Sequence, residues 1–289
     1  MTAYLNGQYL PLEEAKISPL DRGFLFGDGA YEVIPVYSRR PFRIDEHLAR
    51  LQQTLDGIRL ANPHTPAEWR ERIERIIAGN ADEEFDDQSV YIQVTRGADR
   101  KRDQAFPTGV PPTVFIFTAP LVTPSSAQRE AGIAVISALD NRWLRCDLKT
   151  VSLLANVLLR QQAIDAACVE TIMLRDGFLT EGAASNIFVV KDGVLLAPPK
   201  DHRMLPGITY DVVLELAARH GMAHQVREIA EAELRVADEL WMTSSTKEVL
   251  PITTLDGHPV GTGKPGPAAR QMYAWYCAFR DEVMRKADV

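Results

Sequence analysis

Cysteine is scarce in this chain. Cys146, Cys168 and Cys277 are the three in 289 residues, far apart and with no CxxC pair. That pattern speaks against a disulfide framework and against a zinc site, and it suits a reducing cytosol. Long apolar runs are missing as well. No stretch approaches the roughly 20 residues that a membrane helix requires. The opening MTAYLNGQYL carries neither the basic n-region nor the apolar h-region of an export signal, so a cytoplasmic location is expected, with no membrane partner. Positive charge is in deficit, with a net charge of -7 and one local basic cluster at residues 96–102; phosphate neutralisation needs more, which excludes a nucleic-acid surface. No internal repeat stands out. Two motif matches fail on context. Gly261, Gly263 and Gly266 fit G-x-G-x-x-G, but Pro265 interrupts the match and no strand follows the next helix. His220 and His224 have a helical metal-ligand spacing, yet Gly221 between them ends a helix and no carboxylate joins them, so no metal is expected.

What is present is the composition of an ordinary globular protein, 46% hydrophobic and 25% charged, long enough for one large or two moderate domains. The stretch at residues 141–155, NRWLRCDLKTVSLLA, organises the rest. An alternating apolar run at 133–139 predicts a strand before it, and the amphipathic pattern over 151–167 predicts a helix after it. Lys149 is thereby placed at a strand-to-helix junction, where rigid elements on both sides can hold a reactive amine. One lysine alone proves nothing, and a solvated charge before a helix is the ordinary reading.

Taken in order, the chain begins with a hairpin signal, Asn6-Gly7 between apolar residues. Gly23, Gly27 and Gly29 predict a tight irregular loop, followed by a strand with Tyr31, Val33 and Tyr37 on one face. Leu48, Leu51, Leu55 and Ile58 recur at helical spacing with Asp45 as expected N-cap, and Arg50 lies between two of those positions, able to reach a cleft and meet an anion. Thr65 and Pro66 open a second helix over 66–78. Strands are predicted over 89–97 and 113–120, joined by the charged loop ADRKRDQAFPTGVPP, in which Arg102 is the best placed to grip a carboxylate in bidentate fashion. Residues 121–132 have linker composition, which divides the chain into a domain 1–121, a linker 122–131 and a domain 132–289.

The second domain reads as strand-rich with helices laid over it. Hairpins are signalled at Asp176-Gly177 and Asp192-Gly193. TEGAASNIF places Glu181 beside small residues that leave room for something planar. MLPGIT puts a glycine before a helix over 210–219, so that the N-H groups of Ile208 and Thr209 face an anion with the helix dipole behind them. Thr243, Ser244, Ser245 and Thr246 add hydroxyl donors, and the last helix, over 267–285, turns Met272, Tyr276 and Phe279 to one face.

An amine nucleophile, a carboxylate among small residues, an arginine and an anion-binding helix terminus match the needs of pyridoxal 5'-phosphate. DRGFLFGDGAYEV, EHLARL, VTRG, RWLRCDLKTVSLLANVL, TEGAASNIF, MLPGIT and the Thr-Ser-Ser-Thr run, in that order, carry a resemblance over nearly the whole chain. The sequence is similar to the fold-type IV pyridoxal-phosphate enzymes, and among them to the D-amino acid (D-alanine) aminotransferases. That resemblance implies an α+β or α/β fold with a smaller N-terminal α/β domain and a larger C-terminal pseudo-barrel domain with surrounding helices. It implies Lys149 as catalytic residue and internal aldimine, with Glu181 on the pyridine nitrogen and Leu205 packed on the ring. Arg50, the N-H groups of Ile208 and Thr209, and Ser244 and Ser245 would hold the phosphate, with Asn186 also at the cofactor. Tyr31, Val33, Arg102 and Gln104 would bind the substrate, the arginine reaching in from the other subunit of a homodimer. The family typically has a histidine two residues after that arginine. Gln104 stands there instead and cannot carry positive charge, which makes the carboxylate site less cationic and leaves strict D-specificity open.

The implied reaction passes an amino group from a D-amino acid to 2-oxoglutarate or pyruvate, in ping-pong fashion. Branched-chain L-amino acid transamination, (R)-amine transamination and aminodeoxychorismate lyase chemistry remain open within the same fold. A non-catalytic metabolite-binding relative is a further alternative, against which the presence of both Lys149 and Glu181 counts.

Overall fold

The structure, a computed structural model, describes residues 1–80 and 86–286. Its chain divides into two compact units, Met1–Leu121 with Leu148–Leu153, and Val122–Asp147 with Leu154–Val289.

In the first unit the strands β1 (Thr2–Leu5), β2 (Gln8–Pro11), β3 (Gly29–Tyr37), β4 (Arg40–Pro41), β5 (Gln88–Thr95) and β6 (Thr113–Pro120) form one antiparallel sheet in the order β2-β1-β6-β5-β3-β4. The β1–β2 turn places Asn6 at φ 49° and Gly7 at φ 94°, the pair of positive angles that a two-residue hairpin matched to strand twist demands. Alternate residues of β3 and β5 (Ile34, Val36, Val90, Ile92) join Leu51, Leu55, Ile73 and Ile76 in a continuous buried cluster. Those last four lie on the helices α2 (Ile44–Gly57) and α3 (Pro66–Gly79). Each such side chain contributes about 1.5–3 kcal/mol by leaving water. Thr65 closes a capping box with Glu68, with Pro66 at the first helical position of α3.

Two local expectations for this unit are corrected. The glycine-rich stretch forms a short helix, α1 (Arg22–Phe26), because Asp21 Oδ1 accepts from the Gly23 N-H at 2.8 Å and Gly27 ends it at φ 65°. Asp45 does not cap α2. Arg43 precedes that helix in the left-handed conformation, and Asp45 and Glu46 occupy the first turn, where their charge complements the helix dipole.

The second unit holds a mixed sheet of nine strands. These are β7 (Ile133–Leu139), β8 (Glu170–Arg175), β9 (Phe178–Gly182), β10 (Asn186–Lys191), β11 (Val194–Ala197), β12 (His224–Val226), β13 (Glu239–Ser244), β14 (Glu248–Leu255) and β15 (His258–Pro259). Their order is β12-β11-β10-β13-β14-β7-β8-β9, with β15 on β14. The chain passes from β9 into β10 through a tight turn closed by the Gly182 N-H on the Ser185 carbonyl at 2.7 Å, although the two strands stand far apart in that order. The sheet therefore curls back on itself. Ile172, Ile187, Val189, Leu240, Met242 and Ile252 fill one face, while Phe188 and Trp241 pack on the other, Phe188 against Tyr210. Burial on both faces explains why runs such as NIFVV are apolar without alternation.

The stretch expected as a linker contains the helix α4 (Ser126–Ala131), closed at its start by a Ser125–Gln128 capping box. The helix expected over 151–167 is α5 (Leu154–Asp165). It starts late because residues 149–152 are bonded elsewhere in the first unit: the Tyr31 N-H donates to the Lys149 carbonyl and the Val151 N-H to the Gly29 carbonyl, both at 3.0 Å. Gly207 is the N-cap of α6 (Ile208–Arg219), two residues earlier than expected, and α7 (Pro267–Phe279) gives way to one wider turn at Arg280–Met284. Among the described residues no helix is long and apolar enough to cross a membrane.

Candidate active site

In the first unit, Lys149 is carried by a short extended segment laid beside the start of β3. Its N-H donates to Thr54 Oγ1 at 3.1 Å, and Ala30 and Thr150 form an isolated bridge. The backbone at Lys149 is thus pinned to both a strand and a helix. Its Nζ stands 4.2 Å from the centroid of the Tyr31 ring, a cation-π distance. Tyr31 stacks on Tyr91, with centroids 5.7 Å apart, and the Tyr91 hydroxyl donates to Gln93 Oε1 at 2.7 Å. Burial pushes the Tyr91 phenol up to about 12, so the hydroxyl stays protonated. Val33 lies opposite Tyr91 in the sheet register and is half-buried.

Arg50 is buried and engaged. Its Nε and Nη2 donate to the two oxygens of Glu32 at 2.7 and 2.9 Å, and His47 Nδ1 meets Glu32 Oε2 at 2.8 Å. Burial by itself would raise the Glu32 carboxyl, but Arg50 and His47 outweigh it and hold the group well below the usual carboxylate range. Burial lowers His47, helped by the charges of Arg50 and Lys149 and opposed by Glu32, so the ring is neutral. With Nδ1-H on Glu32, its Nε2 is an acceptor that has no hydrogen-bond partner among the described residues.

Arg102 and Gln104 lie on an exposed loop. The Arg102 guanidinium rests 5.4 Å from the centroid of Phe26, and the loop is tethered by Arg22, whose Nη1 and Nη2 donate to the carbonyls of Asp103 and Gln104.

In the second unit, three of the residues named from sequence touch one another. Glu181, near the end of β9, accepts the Leu205 N-H on Oε1 at 3.1 Å. Asn186, the first residue of β10, donates Nδ2 to Glu181 Oε2 at 3.3 Å and to the Leu205 carbonyl at 2.9 Å. Gly207 has to be glycine, since a Cβ there would collide with Asn186 Oδ1. None of the described side chains caps α6. The first N-H groups of a helix have no acceptor within it, so those of Ile208 and Thr209 face outward from a positive dipole end. Thr243 pairs with Asn186 across the sheet, and its buried Oγ1 has no partner among the described residues. Ser244 Oγ accepts from the Lys247 N-H at 3.1 Å, and Ser244 and Ser245 lie where β13 turns toward β14, partly exposed.

Arg142, Asp140, Glu32 and His47 are not among the residues expected from the sequence. Arg142 donates Nη1 to Glu181 Oε1 at 2.5 Å and is itself held by Asp140. Burial pushes the Glu181 carboxyl up to about 7, opposed chiefly by Arg142. Each of the three partners of Glu181 is a donor, so a carboxyl proton would find no acceptor among them. For Arg142, burial is outweighed by Asp140 and Glu181, which hold the guanidinium above its ordinary value. The available signals were the Asp140-x-Arg142 spacing and the one-turn spacing of His47 and Arg50, both common in sequences with no such role.

A helix start without a side-chain cap, a buried hydroxyl with no described partner on the strand residue paired with Asn186, and a buried carboxylate bonded to Asn186 and Leu205 fit pyridoxal 5'-phosphate, which needs donors for its phosphate and a carboxylate for its ring nitrogen. Similarity to solved structures identifies the fold as fold-type IV. The chain matches a T.th. branched-chain amino acid aminotransferase solved with pyridoxamine 5'-phosphate, with a TM-score of 0.89 and 26% identity, covering 99% of this chain and 95% of that one. The family model for amino-transferase class IV matches residues 29–255. D-alanine aminotransferase of Bacillus licheniformis is 37% identical over 272 residues, 94% of each chain, and that of Listeria monocytogenes (strain 10403S) is 35% identical over 287 residues, 99% and 97% of the two chains. The chain belongs to the class IV aminotransferases.

Proposed function

We propose that this protein transfers the amino group of a D-amino acid, with D-alanine as the type donor, to a 2-oxo acid such as 2-oxoglutarate or pyruvate. It does so with pyridoxal 5'-phosphate, as a cytoplasmic homodimer whose subunits share each active site. The observation that carries this reading is the amine of Lys149, backbone-pinned and set over Tyr31, in a chain 37% identical to a D-alanine aminotransferase over 94% of both. Three free cysteines suit the cytoplasm.

When bound, the cofactor supplies an electron-withdrawing ring that stabilises negative charge at the substrate Cα. Lys149 Nζ would hold the proton that leaves the substrate Cα as general base and give it back as general acid. Tyr31 orients the amine through its ring. Glu181 would accept the ring N-H and so favour the protonated ring nitrogen. Arg50, the N-H groups of Ile208 and Thr209, and the Ser244, Ser245 and Thr243 hydroxyls would hold the phosphate, the helix terminus contributing about +0.5 of charge and Arg50 a donor whose own charge Glu32 already balances. Tyr31 and, from the neighbouring subunit, Arg102 receive the substrate carboxylate, with Gln104 and Val33 as further substrate contacts.

A second reading, transamination of branched-chain L-amino acids, is favoured by the likeness to the solved branched-chain enzyme. The test is a single half-reaction followed by absorbance of the bound chromophore. D-alanine should bleach it with release of pyruvate while L-alanine and L-leucine leave it unchanged. Bleaching by L-leucine and not by D-alanine selects the second reading.

A further inference from the structure

Glu181 does not stand alone in the second unit. Asp140, just past the end of β7, is gripped in bidentate fashion by Arg142, whose Nε and Nη2 donate to Oδ1 and Oδ2, both at 2.9 Å. Nη2 also donates to the Arg203 carbonyl at 3.1 Å. Arg175 pairs with Asp140 at 3.0 Å and donates to the Arg142 carbonyl, and the Thr180 hydroxyl donates to Asp140 Oδ2. A fork fixed on one carboxylate has its plane fixed, so the two N-H groups of the remaining Nη1 keep fixed directions, and one of them is a donor toward Glu181. That donor meets Glu181 Oε1 at 2.5 Å, between side chains each 6% exposed. Two guanidinium groups and two carboxylates make the cluster neutral.

The two oxygens of Glu181 are unlike. Oε1 accepts from Arg142 and from the Leu205 N-H. Among the described residues Oε2 has one long contact, 3.3 Å from Asn186, and keeps capacity for a stronger donor. We propose that Arg142 is a positioning residue, which anchors Glu181 by Oε1 and so reserves Oε2 for the ring nitrogen of the cofactor. The proposal rests on the reading that pyridoxal phosphate binds here, and goes beyond it by assigning the task of each oxygen and the group that divides them.

Charge supports the geometry. Burial raises the Glu181 carboxyl and Arg142 is the largest opposing influence, with Asp140 acting the other way. Among the described residues the carboxyl also meets the neutral amide of Asn186 and the Leu205 N-H, and its charge reaches the thiol of Cys146, which burial pushes up to about 11 and thus keeps uncharged. Arg142 is therefore the cation that keeps Glu181 from titrating well above neutrality.

Arg142→Met removes both charge and fork; Arg142→Lys keeps the charge and loses the fork. Two quantities separate these roles. The ionisation of Glu181 in the apoprotein is followed by difference infrared spectroscopy of the carboxyl between about pH 5 and about pH 9, with Glu181→Gln to assign the band. Affinity for pyridoxal phosphate is followed by quenching of tryptophan fluorescence. Arg142→Met should move the midpoint up by about one unit or more and weaken the affinity about 10- to 100-fold, the effect of losing a hydrogen bond between charged groups. Arg142→Lys should keep the midpoint near that of the unaltered protein and still weaken the affinity. An unchanged midpoint and affinity in Arg142→Met, or an unchanged affinity in Arg142→Lys, overturns the proposal. Should Arg142→Met fail to fold, Arg142→Lys carries the test. If the unaltered protein takes up no pyridoxal phosphate, the functional reading fails, while the infrared midpoints still judge the hold of Arg142 on Glu181.

Discussion

Replacing Glu32 by glutamine removes a negative charge from between two bases and keeps the side-chain shape. Glu32 is wholly buried and accepts from Arg50 twice and from His47 once, all within 2.9 Å. Glutamine keeps one acceptor oxygen and presents an amide donor in place of the other, so at least one contact becomes donor against donor. Removing one member of a buried ion pair costs about 3–5 kcal/mol. At about 2–4 °C per kcal/mol for a chain of this size, the apoprotein should melt about 6–20 °C lower. The acid profile carries a second signature. In the unfolded chain, Glu32 takes up a proton near pH 4.3 and His47 near pH 6.5, as unperturbed groups do, roughly. Folded, both values are depressed. The unfolded state thus binds more protons, and stability falls as pH drops, from about 6.5 downward for His47 and from about 4.3 downward for Glu32. Glu32→Gln should lose the lower component and keep the upper. Calorimetry of the apoprotein at about pH 8, then through the acid range, measures both. A variant melting within about 2 °C of the parent, with the same acid profile, would refute the claim that this trio is a tight buried ion cluster.

Three further outcomes follow from single contacts. Gly207→Ala forces a Cβ onto Asn186 Oδ1 and displaces the amide that joins Glu181 to Leu205; pyridoxal phosphate affinity, read by fluorescence titration, should fall about ten-fold. Thr243→Val replaces a buried hydroxyl without a described partner by a methyl of equal size; urea melts of the apoprotein should show a gain of about 1 kcal/mol, and a loss would mean that the hydroxyl is already satisfied. Gln104→His restores a titratable cation to the exposed loop; the KM for D-alanine should fall a few-fold below about pH 6.5 and converge with the parent above it.

Much of the architecture was legible where one residue pair determines local geometry. Asn6-Gly7, Asp176-Gly177 and Asp192-Gly193 all turn with two positive φ angles, as does Asp256-Gly257. Thr65-Pro66 likewise announced its helix. What failed to show was decided by partners distant in sequence. Nothing near Val151 says that its N-H will seek the Gly29 carbonyl and delay α5, and nothing near Asp45 says that Arg43 will turn left-handed before α2. The linker composition of residues 122–131 concealed a capping box, since serine and glutamine serve loops and helix starts alike. Lys149, Glu181, Asn186 and Leu205 could be named as candidates only through resemblance. Arg142, Glu32 and His47 could not, because a buried ion pair is written in the sequence as two ordinary surface charges.

Every role given to the other residues depends on Lys149 carrying the cofactor. Borohydride reduction of the pyridoxal-phosphate-loaded protein, followed by peptide mapping, should find one equivalent of phosphopyridoxyl group on the peptide containing Lys149 and none in Lys149→Ala. Label on a different lysine, or on none, would contradict it.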